Sequence, residues 1–123
     1  MSQRVWQVLL WFGVALAAVL ALGPAPAMPP VEGGDKLQHI AAFAALALAA
    51  ALAYPAPAPQ RLRREAWIAL ALLGYGVGIE LAQGLIPGRT ASLADVLADA
   101  VGVLLGLALA RFWLRWREAA LAR

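Results

Sequence analysis

The sequence predicts an all-α protein, a four-helix bundle that crosses a membrane. Three observations carry this. Of the 123 residues, 63% are hydrophobic and the mean hydropathy is +0.76. Only 14% are charged, against about 25% in an average soluble domain. Four apolar stretches, residues 5–22, 37–54, 66–86 and 93–110, each approach the ~20 residues that a helix needs to cross the hydrocarbon core. We treat residues 1–123 as one transmembrane domain. The chain has no cysteine, which excludes disulfides, thiolate nucleophiles and zinc–sulfur sites. A pI of about 10.2 suggests nucleic acid, but the basic residues flank apolar segments, which points to lipid headgroups and membrane topology and away from nucleic acid.

The connectors define the elements. "GPAPAMPPVEGGDK" separates the first two spans, and "YPAPAPQRLRRE" the second and third. Their prolines break helices and form stiff linkers. "PGRTAS" is a short turn in which Pro87 and Gly88 end the third helix and Ser92 is suited to cap the fourth. Eight of the ten basic residues (Arg4, Arg61, Arg63, Arg64, Arg111, Arg115, Arg117 and Arg123) fall on one side of a four-span arrangement; Lys36 and Arg89 fall on the other. By the positive-inside rule both termini and the middle connector are cytoplasmic. The arginines at 61–64 and 111–117 then serve topology and headgroup contact. Trp6, Trp11, Trp67, Trp113 and Trp116 lie mostly near span ends, as in an interfacial belt. A rival reading takes Arg4, the first apolar run and the "APA" of Ala25–Ala27 as a signal peptide. The run of 18 residues is long for that purpose, and cleavage would leave three spans with the outer face unchanged.

The acids are concentrated in the outer half. Glu32, Asp35, Glu80, Asp95 and Asp99 lie there, while Glu65 and Glu118 lie on the cytoplasmic side. An acid within a span costs on the order of 2.5–3.5 kcal/mol at mid-bilayer, so such a residue faces the bundle interior with a partner or a task. Helical spacing shows which faces they share. Gly76, Glu80, Gln83 and Pro87 form one stripe, and Ser92, Asp95, Asp99, Gly102 and Gly106 another. Asp35 and His39 are four residues apart and share a face. The glycines on these stripes admit a neighbouring backbone, and Gly74 with Gly78 makes a further GxxxG. Glu80 precedes the end of its span by as many residues as Asp99 follows the start of its own, which places both ~9 Å below the outer boundary. The expectation is an outward-opening polar pocket between the second, third and fourth spans, with Asp35, Lys36 and His39 at its lip.

The stretches "DKLQHIAAF" and "IELAQGLIPGRTASLADVLADAVGVLLG" resemble the VanZ-like membrane proteins. That family's pattern is Asp-Lys-x-x-His opening one span, Glu-x-x-Gln ending the next, a Pro-Gly-Arg-like turn, Ser-x-x-Asp, and an Asn before Gly-x-x-x-Gly. The resemblance covers residues 34–110. Asp99 stands where the family more often has Asn, and an "SSQ"-like stretch after the first span is missing. The family is named for a protein linked to low-level resistance to teicoplanin, a glycopeptide antibiotic. The resemblance implies a multi-pass protein of the bacterial inner (cytoplasmic) membrane with a role in the cell envelope, and it implies no particular reaction.

Three uses of the pocket follow from the residues. Asp35, Glu80, Asp95 and Asp99 against Lys36 and Arg89 leave an excess of negative charge, which calls for a bound proton, a cation or a basic ligand. In the first reading, an enzyme acts on a lipid-linked sugar or phosphate from the outer leaflet: His39 is the base, oriented by Asp35, Glu80 or Asp99 is the acid, and Asp95 completes the catalytic group. Lys36 and Arg89 hold phosphate oxygens, with Gln83 and Ser92 as further binding residues. In the second, the pocket binds a lipid or lipoglycopeptide anchor or passes protons; an apolar cytoplasmic half of every span and the lack of an inverted repeat argue against transport. In the third, the polar residues only lock helices together or dock the chain, as a small membrane subunit, onto a larger membrane-protein partner, with Glu80–Arg89 and Asp95–Arg89 as structural ion pairs. Ser92 reads more simply as a cap than as a nucleophile. A single histidine without a second one does not assign a metal site, and no cofactor is implied. No P-loop, HExxH or GxSxG motif occurs, and "GYGVG" at 74–78 lies inside a span.

Overall fold

A computed structural model describes residues 1–24 and 33–123. Ala25–Ala27, which bear on the signal-peptide reading, and Glu32 lie outside the described residues. The described residues form four α-helices, α1 (Gln3–Leu22), α2 (Gly34–Ala53), α3 (Arg61–Gln83) and α4 (Leu93–Leu121), and one 3-10 turn, Ala58–Gln60, ahead of α3. Among the described residues there is no strand. All four helices are long and apolar enough to cross a membrane.

Local chemistry sets the boundaries. Gly23 closes α1 just before Pro24. Gly33 precedes α2 with φ +76°, a left-handed conformation that glycine adopts freely. The second helix therefore begins three residues before the expected 37, and Asp35 sits in its first turn, where the helix dipole favours a carboxylate. Tyr54-Pro55 ends it, because the ring of a proline disfavours helical backbone in the residue before it. The third helix ends at Gln83 rather than at 86: Leu85 and Ile86 form tight turns with Ala82 and Gln83 ahead of Pro87. Ser92 caps α4, its Oγ accepting from the Asp95 amide at 3.3 Å, as its position suggested. The helix then continues to Leu121, well beyond the apolar limit at 110. Its 29 residues extend about 44 Å, longer than a hydrocarbon core of ~30 Å, and its last turns are rich in arginine.

The second helix is the hub. It packs most extensively on α4, then on α1 and α3. Its second half is buried almost all round, with Ala47, Ala49, Ala50, Ala51, Leu52 and Ala53 inside. Small residues allow this. A Cβ added at Gly102 would lie 2.5 Å from the Ile40 carbonyl oxygen, and one at Gly106 would strike the Ala44 carbonyl. The Gly102–Gly106 stripe is thus the contact line between α4 and α2, where backbones replace side chains. Gly74 and Gly78 differ: among the described residues nothing lies within 4 Å of a Cβ at either, so this GxxxG packs against none of them. Large apolar side chains such as Phe12, Leu20, Trp67, Leu104 and Phe112 point outward, as expected of a surface in contact with lipid.

Candidate functional site

The starts of α2 and α4 and the end of α3 meet at one end of the bundle, and the polar residues of the spans converge there. His39 Nδ1 lies 2.7 Å from Asp99 Oδ1. The Asp99 side chain is 1% exposed and its Oδ2 has no hydrogen-bond partner among the described residues. This carboxylate occupies the space left by Gly76, where a Cβ would collide with Oδ2. One turn along α3, Glu80 is buried as well. Its Oε2 accepts the Ser92 amide at 2.8 Å, and its Oε1 is buried without a partner. His39 Nε2 is 4.0 Å from Asp95 Oδ2, beyond hydrogen-bonding reach. Single donor atoms of His39, Glu80 and Asp95 all lie within 4.8 Å of one another.

The orientation of His39 differs from the sequence reading. Asp35 does not hold the imidazole; it pairs with its neighbour Lys36 at 3.3 Å, and Lys36 also reaches Asp95 at 3.4 Å. Both sit on the exposed first turn, where Asp35 is drawn to the adjacent ammonium, while the ring of His39 turns inward to the buried Asp99. When the imidazole proton is on Nδ1 it is donated to Asp99, and Nε2, 4.0 Å from Asp95 Oδ2, keeps its lone pair.

Gln83 and Arg89 serve a different place. Gln83 Nε2 donates to the Ala21 carbonyl at 2.9 Å. The Arg89 guanidinium donates to the carbonyls of Gly23 (3.0 Å), Pro24 (3.3 Å) and Leu20 (3.4 Å). These are the free carbonyls at the C-terminal end of α1, which attract a cation. The ion pairs Glu80–Arg89 and Asp95–Arg89 considered from the sequence do not form, because the carbonyls hold Arg89 and because Ser92 and Lys36 occupy the two acids. Ser92 contributes through its amide and its capping hydroxyl.

The other end of the bundle carries a second polar cluster, at the boundary of the apolar spans. Glu65 is the fifth residue of α3 and only 3% exposed. It pairs with Arg64 at 3.4 Å and with Arg111 of α4. Arg64 also donates to the carbonyls of Ala51 and Tyr54 at the end of α2. These arginines therefore join three helices, in addition to any contact with headgroups. An open surface groove lies beside them, lined by Arg61, Leu62, Glu65, Arg111 and Arg115 among others. The signal for this cluster was one acid among arginines at a span boundary. Tyr75, whose hydroxyl donates to the Val14 carbonyl at 2.6 Å, gave no signal.

Comparison with known proteins agrees with the motifs. No curated protein and no solved structure matches the chain. The profile of the VanZ/LLP1 family matches residues 2–114, which takes in α1, α2, α3, most of α4 and every residue of the polar centre. The chain is a multi-pass membrane protein and belongs to the VanZ/LLP1 family.

Proposed function

We propose that this protein, as a single transmembrane domain of the bacterial cytoplasmic membrane, binds the polar head of a lipid-linked envelope molecule at its polar centre and acts on it there. The orientation rests on the basic residues, eight of which flank the opposite end of the bundle. That bias favours cytoplasmic termini and an outward-facing centre built by His39, Glu80, Asp95 and Asp99. One observation carries the reading: among the described residues, Glu80 Oε1 and Asp99 Oδ2 are buried acceptors without partners, beside a histidine whose side chain is 20% exposed. Structural locking would pair such atoms, since each unpaired buried acceptor is costly. A site that receives a ligand leaves them available.

Each residue has a role in this reading. Asp99 positions His39, whose Nε2 is the electron-pair donor of the site. Glu80, held by the Ser92 amide, supplies the second donor or an acid through a carboxylate oxygen, and Asp95 the third donor. Lys36, nearly half exposed at the rim, is the cation for phosphate oxygens, a role that Arg89 leaves to it. The test is native mass spectrometry of the protein purified in mild detergent. Wild type should retain a polyprenyl phosphate or lipid-linked sugar that Glu80→Gln and Asp99→Asn lose; retention of identical bulk phospholipid by all three would overturn the reading. A second reading, a non-catalytic subunit docked on a larger membrane complex, is favoured by the unpacked Gly74–Gly78 face of α3. Site-specific crosslinking from Val77 to another protein in native membranes would support it.

A further inference from the structure

His39, Glu80 and Asp95 come from three different helices, yet their donor atoms gather within 4.8 Å of one another. We propose that this is a divalent-cation site, with His39 Nε2, one Glu80 oxygen and one Asp95 oxygen as ligands and Asp99 as the positioning residue behind His39. The inference deepens the proposed function, and it rests on reading this cluster as a site rather than as a structural lock.

Four observations support it. First, ligands bound at about 2.0–2.3 Å lie roughly 3–4.5 Å apart around a cation, so a small inward movement of one side chain brings the three donors to bonding distance. The 4.0 Å between His39 Nε2 and Asp95 Oδ2 is too long for a hydrogen bond but suits two atoms that share an ion. Second, a metal-binding histidine ordinarily donates its other ring N–H to a carboxylate, which fixes the tautomer and the ring plane. His39 has that arrangement, with Nδ1 2.7 Å from Asp99 Oδ1. Third, Glu80 is 97% buried, being 3% exposed, and its Oε1 is unpartnered. A cation would satisfy an oxygen for which the chain provides no donor among the described residues. Fourth, Asp35, Glu80, Asp95 and Asp99 are matched locally by Lys36, while the Arg89 donors are directed to the carbonyls of α1. A divalent charge reduces the imbalance.

The ligand chemistry narrows the ion. One imidazole and two carboxylates, with no thiolate in the chain, suit Mn²⁺ or Zn²⁺ better than Ca²⁺ or Cu⁺. Three protein ligands leave coordination positions open, and a phosphate oxygen of a lipid-linked molecule is a suitable occupant.

The experiment uses the full chain in detergent, stripped with a chelator and free of added lipid. Mn²⁺ is titrated by electron paramagnetic resonance, and Zn²⁺ is counted by elemental mass spectrometry after desalting. Wild type should bind one equivalent. His39→Ala and Glu80→Gln should abolish saturable binding while Lys36→Ala retains it, with helical circular dichroism and a single elution peak verifying the fold of each. If Glu80→Gln does not fold, Asp95→Asn, at the partly exposed ligand, replaces it. Asp99→Asn should bind about 10–100-fold more weakly, and adding Zn²⁺ to wild type should shift the ¹⁵N resonance of His39 Nε2, a response that a merely structural His39–Asp99 bond would not give. No saturable binding by wild type, or undiminished binding by His39→Ala, would overturn the site. A protein that retains a lipid-linked ligand but no cation refutes the cation and leaves the proposed function standing; the reverse result refutes the function alone.

Discussion

His39 Nδ1 and Asp99 Oδ1 lie 2.7 Å apart across sixty residues of sequence, and this bond joins the second turn of α2 to the second turn of α4. It lies at the edge of the polar centre, with the rest of the Asp99 carboxylate buried over Gly76. Replacing Asp99 by Leu removes the acceptor and leaves His39 Nδ1 partly buried without a partner. The expected loss is about 1–3 kcal/mol, read as a lower melting temperature in detergent. Asp99→Asn keeps an acceptor oxygen and should lose much less.

Gly76 is required by the same carboxylate. Gly76→Ala puts a methyl group into Asp99 Oδ2 and 3.1 Å from the Phe43 ring. Asp99 must then move, so the ring signals of His39 should change as much as they do in Asp99→Leu. Gly74→Ala and Gly78→Ala meet nothing within 4 Å. They should leave the His39 signals unchanged and stabilise the helix by up to about 1 kcal/mol, since alanine exceeds glycine in helix propensity.

The α2–α4 contact gives a second steric contrast. Gly106→Val drives side-chain atoms into the Ala44 carbonyl, a contact that only separation of the two helices relieves. Overpacking of this kind costs about 1–3 kcal/mol. Thermal unfolding of Gly106→Val beside Gly78→Val separates helix contact from helix propensity, because both variants introduce the same β-branched residue.

At the opposite end, Glu65 is buried between Arg64 and Arg111. Arg111→Leu removes its closer partner. Arg111 is itself half exposed, so the expected loss, about 2–3 kcal/mol, is below that for a fully buried pair. The double variant Glu65→Leu with Arg111→Leu should recover part of it, since the buried carboxylate is then gone and Arg64 keeps the carbonyls of Ala51 and Tyr54 as acceptors. A double-mutant cycle with additive losses would contradict the pairing.

The four helices and the membrane setting were legible because apolar runs of sufficient length are a composition signal that needs no tertiary information. The convergence of His39, Glu80, Asp95 and Asp99 was legible for a related reason: an acid within a span has few places to point, and the 3–4 spacing identifies its face. Partner choice was not legible. Whether His39 turns to Asp35 or to Asp99 depends on side-chain direction and on Lys36 competing for Asp35, which spacing along one helix does not encode. Arg89 was misplaced because its acceptors are backbone carbonyls, and carbonyls carry no residue-type signal. The length of α4 was underestimated because the apolar run stops at Ala110 while helix-forming Arg, Leu and Ala continue to Leu121.

The most direct measurement exploits the single histidine. In ¹⁵N-histidine-labelled protein, every imidazole signal belongs to His39. A polyprenyl phosphate and a lipid-linked sugar are titrated into the protein in nanodiscs, with phosphatidylglycerol as the control lipid. A centre that binds the head of a lipid-linked envelope molecule should show a saturable change in the Nε2 resonance with one of these probes, none with phosphatidylglycerol, and no change in Glu80→Gln. A His39 spectrum that does not respond to either lipid-linked probe, or that responds equally to phosphatidylglycerol, would contradict the account.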